Sequence, residues 1–325
     1  MKTRILKILR NYPDYISGQE LCESIGVSRT AVWKIINKLK EEGYQIEAVQ
    51  NRGYHMVSCP DIVTESEIVS RLSTKWAGKK ILYFNEVDST NNQAKREAEN
   101  GAAHGTLVVA DSQSAGKGRR GRSWSSPVGT GVFMSLILKP ELHPEYASML
   151  TLVVALATAR ALEEITGLSA MIKWPNDIVV NKKKVVGILT EMSTEMESIH
   201  YVVAGVGINV NMDKLPEEIN KTATSLRIEL GKPTNRAVLI EAFLRYFEEY
   251  YEKFERDKDL SNLMVPYNER LINKGNMVKI LGTNEEYVGK ALGINKMGGL
   301  LVERENGIEM ITSGEVSVRG VYGYV

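Results

Sequence analysis

Cysteine is almost absent from this chain: Cys22 and Cys59 are the two present in 325 residues, and they stand in no metal-ligand spacing. A disulfide framework or a thiolate metal centre is therefore not what organises the fold, and a reducing compartment is the simplest reading. Histidine is scarce too, and no serine–histidine or cysteine–histidine pair is evident among the four residues present. Net charge is nearly missing, since 41 Lys and Arg against 40 Asp and Glu leave +1. Bulk attraction to nucleic acid or membrane is thereby excluded, so any such partner has to be met by a local patch. A long apolar run is missing as well. The opening "MKTRILKILRNYPDY" is charged at helical intervals, unlike a secretory signal. The most apolar helix, around "ASMLTLVVALATA", ends at Arg160, short of the ~18 residues a membrane span needs. The expectation is a cytoplasmic protein with no membrane partner, long enough for roughly two or three domains.

What is present begins with a small N-terminal unit. Ser17-Gly-Gln-Glu20 is a capping box, and the short helix it starts stops at Gly26. Ser28 then caps a second helix whose apolar residues Val32, Ile35, Ile36 and Leu39 recur at helical spacing. The opposite face offers Arg29, Thr30, Lys34, Asn37 and Lys38. Two helices joined by a tight glycine turn make a helix-turn-helix, whose second helix enters the major groove. "GYQIEAVQNRGYHMV" follows as a hairpin, a wing with Arg52 at its tip in reach of a phosphate. Ser28, Arg29, Thr30, Lys34, Asn37, Lys38 and Arg52 are the DNA-binding candidates. The plainer alternative is an amphipathic helical subdomain that packs on its neighbour.

After a linker around Pro60, Thr64-Glu-Ser-Glu67 reads as a second capping box. Strands are expected in "KKILYFNEV", "TLVVADSQ", "GVFMSLILK", "MIKWPNDIVVN", "KVVGILTEM" and "HYVVAGVGINVN", with helices at about 90–100, 145–166 and 235–256. Because the order is not a strict strand–helix alternation, a mixed sheet with helices on one side is expected. Polar clusters sit where these strands end. Ser89, Thr90 and Asn91 stand at a strand-to-helix junction, either as caps alone or as groups facing a ligand. Trp174 and Pro175 bracket a kink that exposes Asn176 and Asp177, and Lys184 follows a charged turn. "GVGINVN" holds Gly205 and Gly207 close to Asn209, although its G-x-G lacks the dinucleotide fingerprint.

"SAGKGRRGRSW" concentrates the local charge that the whole chain lacks. Lys117, Arg119, Arg120 and Arg122 alternate with Gly116, Gly118 and Gly121 before Trp124. Glycine makes such a ribbon permissive and costly to order, so it is expected to stay mobile until an anion fixes it. A solvated basic linker is the alternative.

Taken together and in this order, "DSTN", "QSAGKGRRGRSW", "KWPND", "KKVVGILTE" and "GVGINVN" resemble the biotin protein ligase family. They are most similar to its bacterial members that join a winged helix to the ligase and repress the biotin operon. One departure stands out: the family pattern Gly-Arg-Gly-Arg-Arg-Gly has Lys117 for its first arginine here. Charge is kept, but a planar fork becomes a point charge, which puts a bidentate contact at 117 in question. The resemblance implies an α+β multidomain chain. Its parts would be a winged helix-turn-helix over 1–62, a class II synthetase-like mixed-sheet α/β ligase domain over 63–272, and an SH3-like small β-barrel over 273–325.

The implied reaction joins biotin and MgATP to give biotinyl-5′-adenylate and pyrophosphate. A lysine of a biotin carboxyl carrier protein, of the acetyl-CoA carboxylase type, then takes the biotinyl group. Arg119 and Lys184 are the implied catalytic cations. Biotin would meet Ser89, Thr90, Asn91, Gln113, Lys117, Gly118, Arg119 and Lys184, with backbone amides of the ribbon on its carboxylate. The nucleotide would meet Arg122, Trp124, Asn176 and Asn209, while Asp177 would hold Mg²⁺ or orient the incoming lysine. The ribbon would close over the adenylate and shield it from water.

From about Gly275 short strands follow, "NMVKIL", "EYVGKAL", "GLLVER", "GIEMIT" and "VSVRG", with hairpin turns at Gly298-Gly299 and Asn306-Gly307. In the family this domain assists ATP and carrier binding; a stabilising appendage is the plainer reading. A DNA reader fused to a ligase suggests a sensor in which biotinyl-5′-adenylate is corepressor for a homodimer on operator DNA. Two other functions stay open at this stage: a biotin-sensing transcription factor without ligase activity, and a relative of the lipoate-protein ligases.

Overall fold

Capping chemistry places the first helices where the sequence announces them. In the computed structural model, which describes residues 1–195, 198–282, 286–313, 317–320 and 324–325, the chain divides into two units, Met1–Leu72 and Ser73–Val325. The first unit holds α1 (Lys2–Asn11), α2 (Gly18–Ile25) and α3 (Arg29–Glu41). Ser17 Oγ accepts from the Glu20 amide and the Glu20 carboxylate accepts from the Ser17 amide, so the first capping box is complete. Gly26 ends α2 in the left-handed region, and Ser28 caps α3 by accepting from the Ala31 amide. Val32, Ile36 and Leu39 of α3 are buried with Ile5, Leu6 and Leu9 of α1 and Leu21 of α2, while Ile35 is half-buried beside them. The hairpin β1 (Gln45–Val49) and β2 (Gly53–Ser58) is antiparallel, and Ile16 adds a bridge to Tyr54.

The second expected capping box does not form. Thr64 precedes α4 (Glu65–Val69) without a side-chain cap bond, and Glu67 turns inward instead. Fully buried, Glu67 accepts from Arg10 at 2.9 Å, from Arg71 at 2.8 Å and from the Tyr44 hydroxyl at 2.6 Å. Two guanidinium groups neutralise a buried carboxylate as a lone backbone amide cannot, so the tertiary pairing overrides the local cap.

The second unit is built on a seven-stranded sheet of order β3-β4-β5-β9-β8-β7-β6. Its strands are β3 (Ile81–Val87), β4 (Leu107–Gln113), β5 (Gly131–Leu138), β6 (Met171–Lys173), β7 (Asp177–Val180), β8 (Lys183–Glu195) and β9 (Ser198–Asn209). β3 and β4 run parallel and all other neighbours antiparallel, so the sheet is mixed as expected. Helices α5 (Thr90–Glu99), α6 (Ala147–Thr166), α7 (Leu226–Leu230), α8 (Arg236–Asp257) and α9 (Met264–Arg270) surround it.

Helices do not lie on one side alone. β5 is buried at every position, which requires cover on both faces. On one face α5 packs Ala94 and Ala98 on Val108, Ile137 and Val203. From the other, Thr190 of β8 meets Thr151 of α6 at 2.9 Å, and α8 packs along α6. Alternation along β8 separates Gly187, Leu189 and Glu191, on the α5 face, from Thr190.

The C-terminal strands β10 (Met277–Leu281), β11 (Glu286–Ile294), β12 (Leu300–Arg304), β13 (Gly307–Ile311) and β14 (Ser317–Gly320) form an antiparallel sheet of order β13-β12-β11-β10-β14. Val316, the first residue of the expected "VSVRG" strand, lies outside the described residues.

Candidate active site

Polar groups from three strand ends converge on the α5 face. β3 passes through Asp88 and Ser89 into α5. The Asp88 carboxylate accepts from Arg96 at 2.8 Å and Asn92 at 2.7 Å, and the Arg96 bond foremost holds it well below the usual carboxylate range. Ser89 occupies the N-cap position, yet its hydroxyl makes no cap bond. The capping alternative therefore fails for this side chain, which is buried and lines a pocket.

Around it the floor is a connected hydrogen-bond network. The Thr90 amide and hydroxyl donate to Gln113 Oε1 at 2.8 and 3.1 Å, and Gln113 Nε2 donates to Ser126 at 2.7 Å. Ser135 donates to Asn91 Oδ1 at 2.6 Å, while Asn91 Nδ2 donates to the Leu189 carbonyl and to Glu191. Burial raises the Glu191 carboxyl, but bonds from Lys95 and Asn91 outweigh it and leave it lowered. Each floor side chain is thus fixed before anything binds, which is what orienting a ligand requires.

Trp124 forms one wall. A Cβ at Gly187 would come within 2.6 Å of its ring and one at Gly207 within 2.7 Å, so the indole lies directly on backbone that no side chain can share. The Lys184 ammonium stands 5.4 Å from the ring centroid.

The cationic ribbon has a defined shape and protein partners. Lys117 pairs with Ser123, and the Gly118 amide donates to the Arg122 carbonyl at 2.7 Å, making a hairpin around the turn Arg119–Gly121. Lys117 Nζ donates to Asn92 Oδ1 at 2.7 Å. Arg119 spans two elements, donating to Asn176 Oδ1 at 2.7 Å and to the Ser313 carbonyl at 2.8 Å. Burial pulls its guanidinium below the ordinary value, with Asp177 opposing. Two expectations change accordingly. The ribbon, expected to stay mobile until an anion fixes it, is held by protein oxygens, Asn92 on Lys117 and Asn176 and Ser313 on Arg119. The Gly118 amide, expected on a ligand carboxylate, is used inside the hairpin.

Opposite the ribbon, the turn between β6 and β7 presents Asn176 and Asp177. Asp177 pairs with Lys184 at 2.6 Å and its other oxygen accepts from the Tyr324 hydroxyl. Lys173, 6% exposed, faces the Tyr324 ring with its ammonium 3.6 Å from the centroid. Burial pulls that ammonium down to about 8. Among the described residues no group of three or more His, Cys, Asp or Glu is placed to hold a metal ion.

Ser89, Thr90, Asn91, Gln113, Lys117, Gly118, Arg119, Trp124, Asn176 and Lys184 all line this one pocket. Two nucleotide candidates are placed otherwise. Arg122 is exposed on the ribbon, its carbonyl closing the hairpin. Asn209 is buried at the end of β9, where Nδ2 holds the Thr224 carbonyl at 3.0 Å; it therefore fixes the segment beside Lys184. Sequence reasoning passed over Lys173, whose burial in a strand is the signal it missed, and Glu191, which ends a motif read only for its lysine. Nothing in the sequence pattern marked Tyr324.

In the first unit Arg29, Thr30, Lys34 and Lys38 are exposed along α3, and Asn37 is half-buried. Ser28 is spent as the helix cap. Arg52 is not free at the wing tip: it bonds Asp14 at 3.2 Å and lies over the Tyr15 ring at 4.2 Å. Trp33, absent from the expected set, is 56% exposed on the same helix.

The chain matches three family models: an HTH domain over residues 2–55, the biotin/lipoate A/B protein ligase family over 83–209, and the biotin protein ligase C-terminal domain over 275–319. It is 40% identical over 307 residues to the bifunctional ligase/repressor BirA of Bacillus subtilis, with 94% of each chain covered. To the protein of the same name from Escherichia coli it is 29% identical over 320 residues, covering 97% of this chain and 96% of that one. A solved structure of the biotin protein ligase of Aquifex aeolicus in complex with biotin and ATP aligns with a TM-score of 0.66 and 36% identity, over 74% of this chain and 99% of that chain. The chain belongs to the biotin protein ligase family, among its bifunctional ligase/repressors.

Proposed function

We propose that the pocket on the α5 face activates biotin with ATP and passes it, as biotinyl-5′-adenylate, to a lysine of a biotin carboxyl carrier protein. One observation carries this reading: Ser89 and Thr90 at the start of α5, Gln113 of β4, Arg119 of the ribbon and Lys184 of β8 share one pocket. The fixed amides and hydroxyls of the floor suit the ureido ring, whose carbonyl and N–H groups need both donors and acceptors. The cations suit the bond-making step. A biotin carboxylate oxygen bonds to the α-phosphorus, the bond to the leaving pyrophosphate oxygen breaks, and charge accumulates at both ends. Chemistry of this kind asks chiefly for positioning and neutralisation. Arg119 and Lys184 supply both, trading Asn176 and Asp177 for the ligand's oxygens.

Mg²⁺ enters with ATP and withdraws charge from the phosphates. Both Asp177 oxygens are engaged, by Lys184 and Tyr324, so this carboxylate fits the orienting of an incoming lysine better than a metal ligand. In the transfer step the acceptor nitrogen bonds to the biotinyl carbonyl carbon, the bond from that carbon to the phosphate oxygen breaks, and AMP leaves with its electron pair. Arg119 bridges ribbon, Asn176 turn and the segment after β13, which supports the ribbon as the cover over the intermediate.

The first unit reads operator DNA. Its exposed Arg29, Thr30, Lys34 and Lys38 face the groove from α3, and a homodimer with biotinyl-5′-adenylate as corepressor presents two such helices. We assign these roles to residues 1–62, 63–272 and 273–325, within a cytoplasmic protein. Biotin-dependent exchange of labelled pyrophosphate into ATP tests the enzyme; its absence from active, folded protein would refute the reading. Operator affinity measured over a salt series tests the repressor. Lys34→Ala should lower the magnitude of the slope of log K against log salt by about 0.9 if the lysine meets one phosphate. An unchanged slope would remove Lys34 from the interface.

A further inference from the structure

Tyr324 belongs to no motif, yet it joins two charged groups of the site. Its hydroxyl donates to Asp177, whose other oxygen holds Lys184 at 2.6 Å. Its ring faces the buried ammonium of Lys173 at 3.6 Å. Both contacts come from the far end of the chain to the turn between β6 and β7. Burial foremost, then Asp177, raises the phenol above its ordinary value, so it stays a neutral donor.

We propose that Tyr324 is a positioning residue of the transfer half-reaction: it fixes the Asp177 carboxylate, which orients the acceptor lysine, and steadies the buried Lys173 ammonium beside it. This rests on the ligase reading of the site. Without Tyr324, Asp177 would be held on one oxygen only, by Lys184 and by Asn176 Nδ2 at 3.2 Å, and its carboxylate could still turn about its side-chain axis. A bond on the opposite oxygen pins its plane. The aromatic face does a different job. It steadies a buried ammonium without adding negative charge, so Lys173 is not drawn onto Asp177 as it would be without a partner of its own. The incoming lysine, itself a cation, thus meets an oriented carboxylate that Lys184 holds on one oxygen while the Lys173 ammonium is kept on the Tyr324 ring. It sheds one proton to water before its lone pair attacks the biotinyl carbon; as the amide forms, a second proton leaves the nitrogen to water and AMP departs with the electron pair of the broken carbon–oxygen bond.

The test uses the full chain, preloaded with biotin and MgATP and mixed with a carrier acceptor domain in single turnover. Tyr324→Phe keeps the ring and removes the hydroxyl. Its limiting transfer rate should fall about tenfold, the effect of one hydrogen bond to a charged group, while the acceptor concentration giving half that rate stays within about twofold. Tyr324→Ala removes both contacts and should fall further. If Tyr324→Ala does not fold, the phenylalanine variant alone decides. An unchanged or faster limiting rate in Tyr324→Phe overturns the proposal, as does an effect confined to the half-saturating acceptor concentration, which would mark a docking role. Biotin-dependent pyrophosphate exchange in the wild type separates the two readings. Without it the ligase assignment fails; with it, a normal Tyr324→Phe transfer rate refutes the role of Tyr324 alone.

Discussion

Replacing Gly205 by alanine would set a methyl carbon 2.0 Å from Asn91 Oδ1. The strand cannot yield, because Gly205 is paired with Ser135 on one side and Leu189 on the other in the middle of the sheet. Asn91 has to move instead. Its carboxamide is held by Ser135 at 2.6 Å, the Leu189 carbonyl at 3.1 Å and Glu191 at 2.8 Å. Two neutral bonds at about 1 kcal/mol and one to a carboxylate at about 2 give a ceiling of about 4 kcal/mol, and a partial retreat should cost about 2–3. Urea unfolding should show that loss, and calorimetric titration should show biotin bound at least about tenfold more weakly as the floor shifts. A double-mutant cycle isolates the cause. In an Asn91→Ala background the oxygen is gone, so Gly205→Ala should cost under about 1 kcal/mol. An equal cost in both backgrounds would refute the reasoning.

Arg119→Gly removes the bonds to Asn176 and Ser313. Biotinyl-5′-adenylate should then dissociate at least about tenfold faster, measured by chase with unlabelled biotin; unchanged release would contradict the role of cover. Lys173→Met should alter how stability depends on pH. The folded ammonium titrates at about 8 against an ordinary 10.5, so between these values the unfolded chain binds more protons and wild-type stability rises with pH. The variant should exceed wild type below pH 8, by a margin on the order of 3 kcal/mol that closes near pH 10.5. Denaturant titrations across that window check it, a constant margin being the contrary result. Glu67→Gln leaves Arg10 and Arg71 facing an uncharged partner and should destabilise the first unit by about 3 kcal/mol. Local hydrogen exchange over residues 1–72 reads this directly, and unaltered protection would show that the buried carboxylate contributes nothing.

Legibility followed the range of the forces involved. Ser17, Gly26 and Ser28 act on amides within four residues, so the helices they bound were readable from the sequence, as was the apolar stripe of α3. The same reasoning failed at Thr64, where Arg10 and Tyr44, distant in sequence, claim Glu67. Helix placement about the sheet failed likewise: burial of β5 on both faces is a property of its neighbours, not of "GVFMSLIL" itself. In the site, Ser89, Thr90, Gln113, Arg119 and Lys184 could be singled out in compact motifs, through the family resemblance those motifs carry, and the structure brings them to one pocket. Their partners could not, since Asn92 for Lys117, Ser313 for Arg119 and Tyr324 for Asp177 are set by tertiary packing. Glycine was informative in a limited way. Gly205 and Gly207 stood out in "GVGINVN" and Gly187 did not, while Asn91 over Gly205 and Trp124 over Gly187 and Gly207 needed coordinates.

The central claim is that this pocket makes an activated biotin and keeps it for a protein lysine. Full-length chain, carboxyl-labelled biotin, MgATP and a carrier acceptor domain in one tube test it most directly. The account predicts label in amide linkage on the acceptor lysine, lost when that lysine is replaced by arginine and strongly reduced in Lys184→Met. Label released only as free biotin, or transfer undiminished in Lys184→Met, would contradict it.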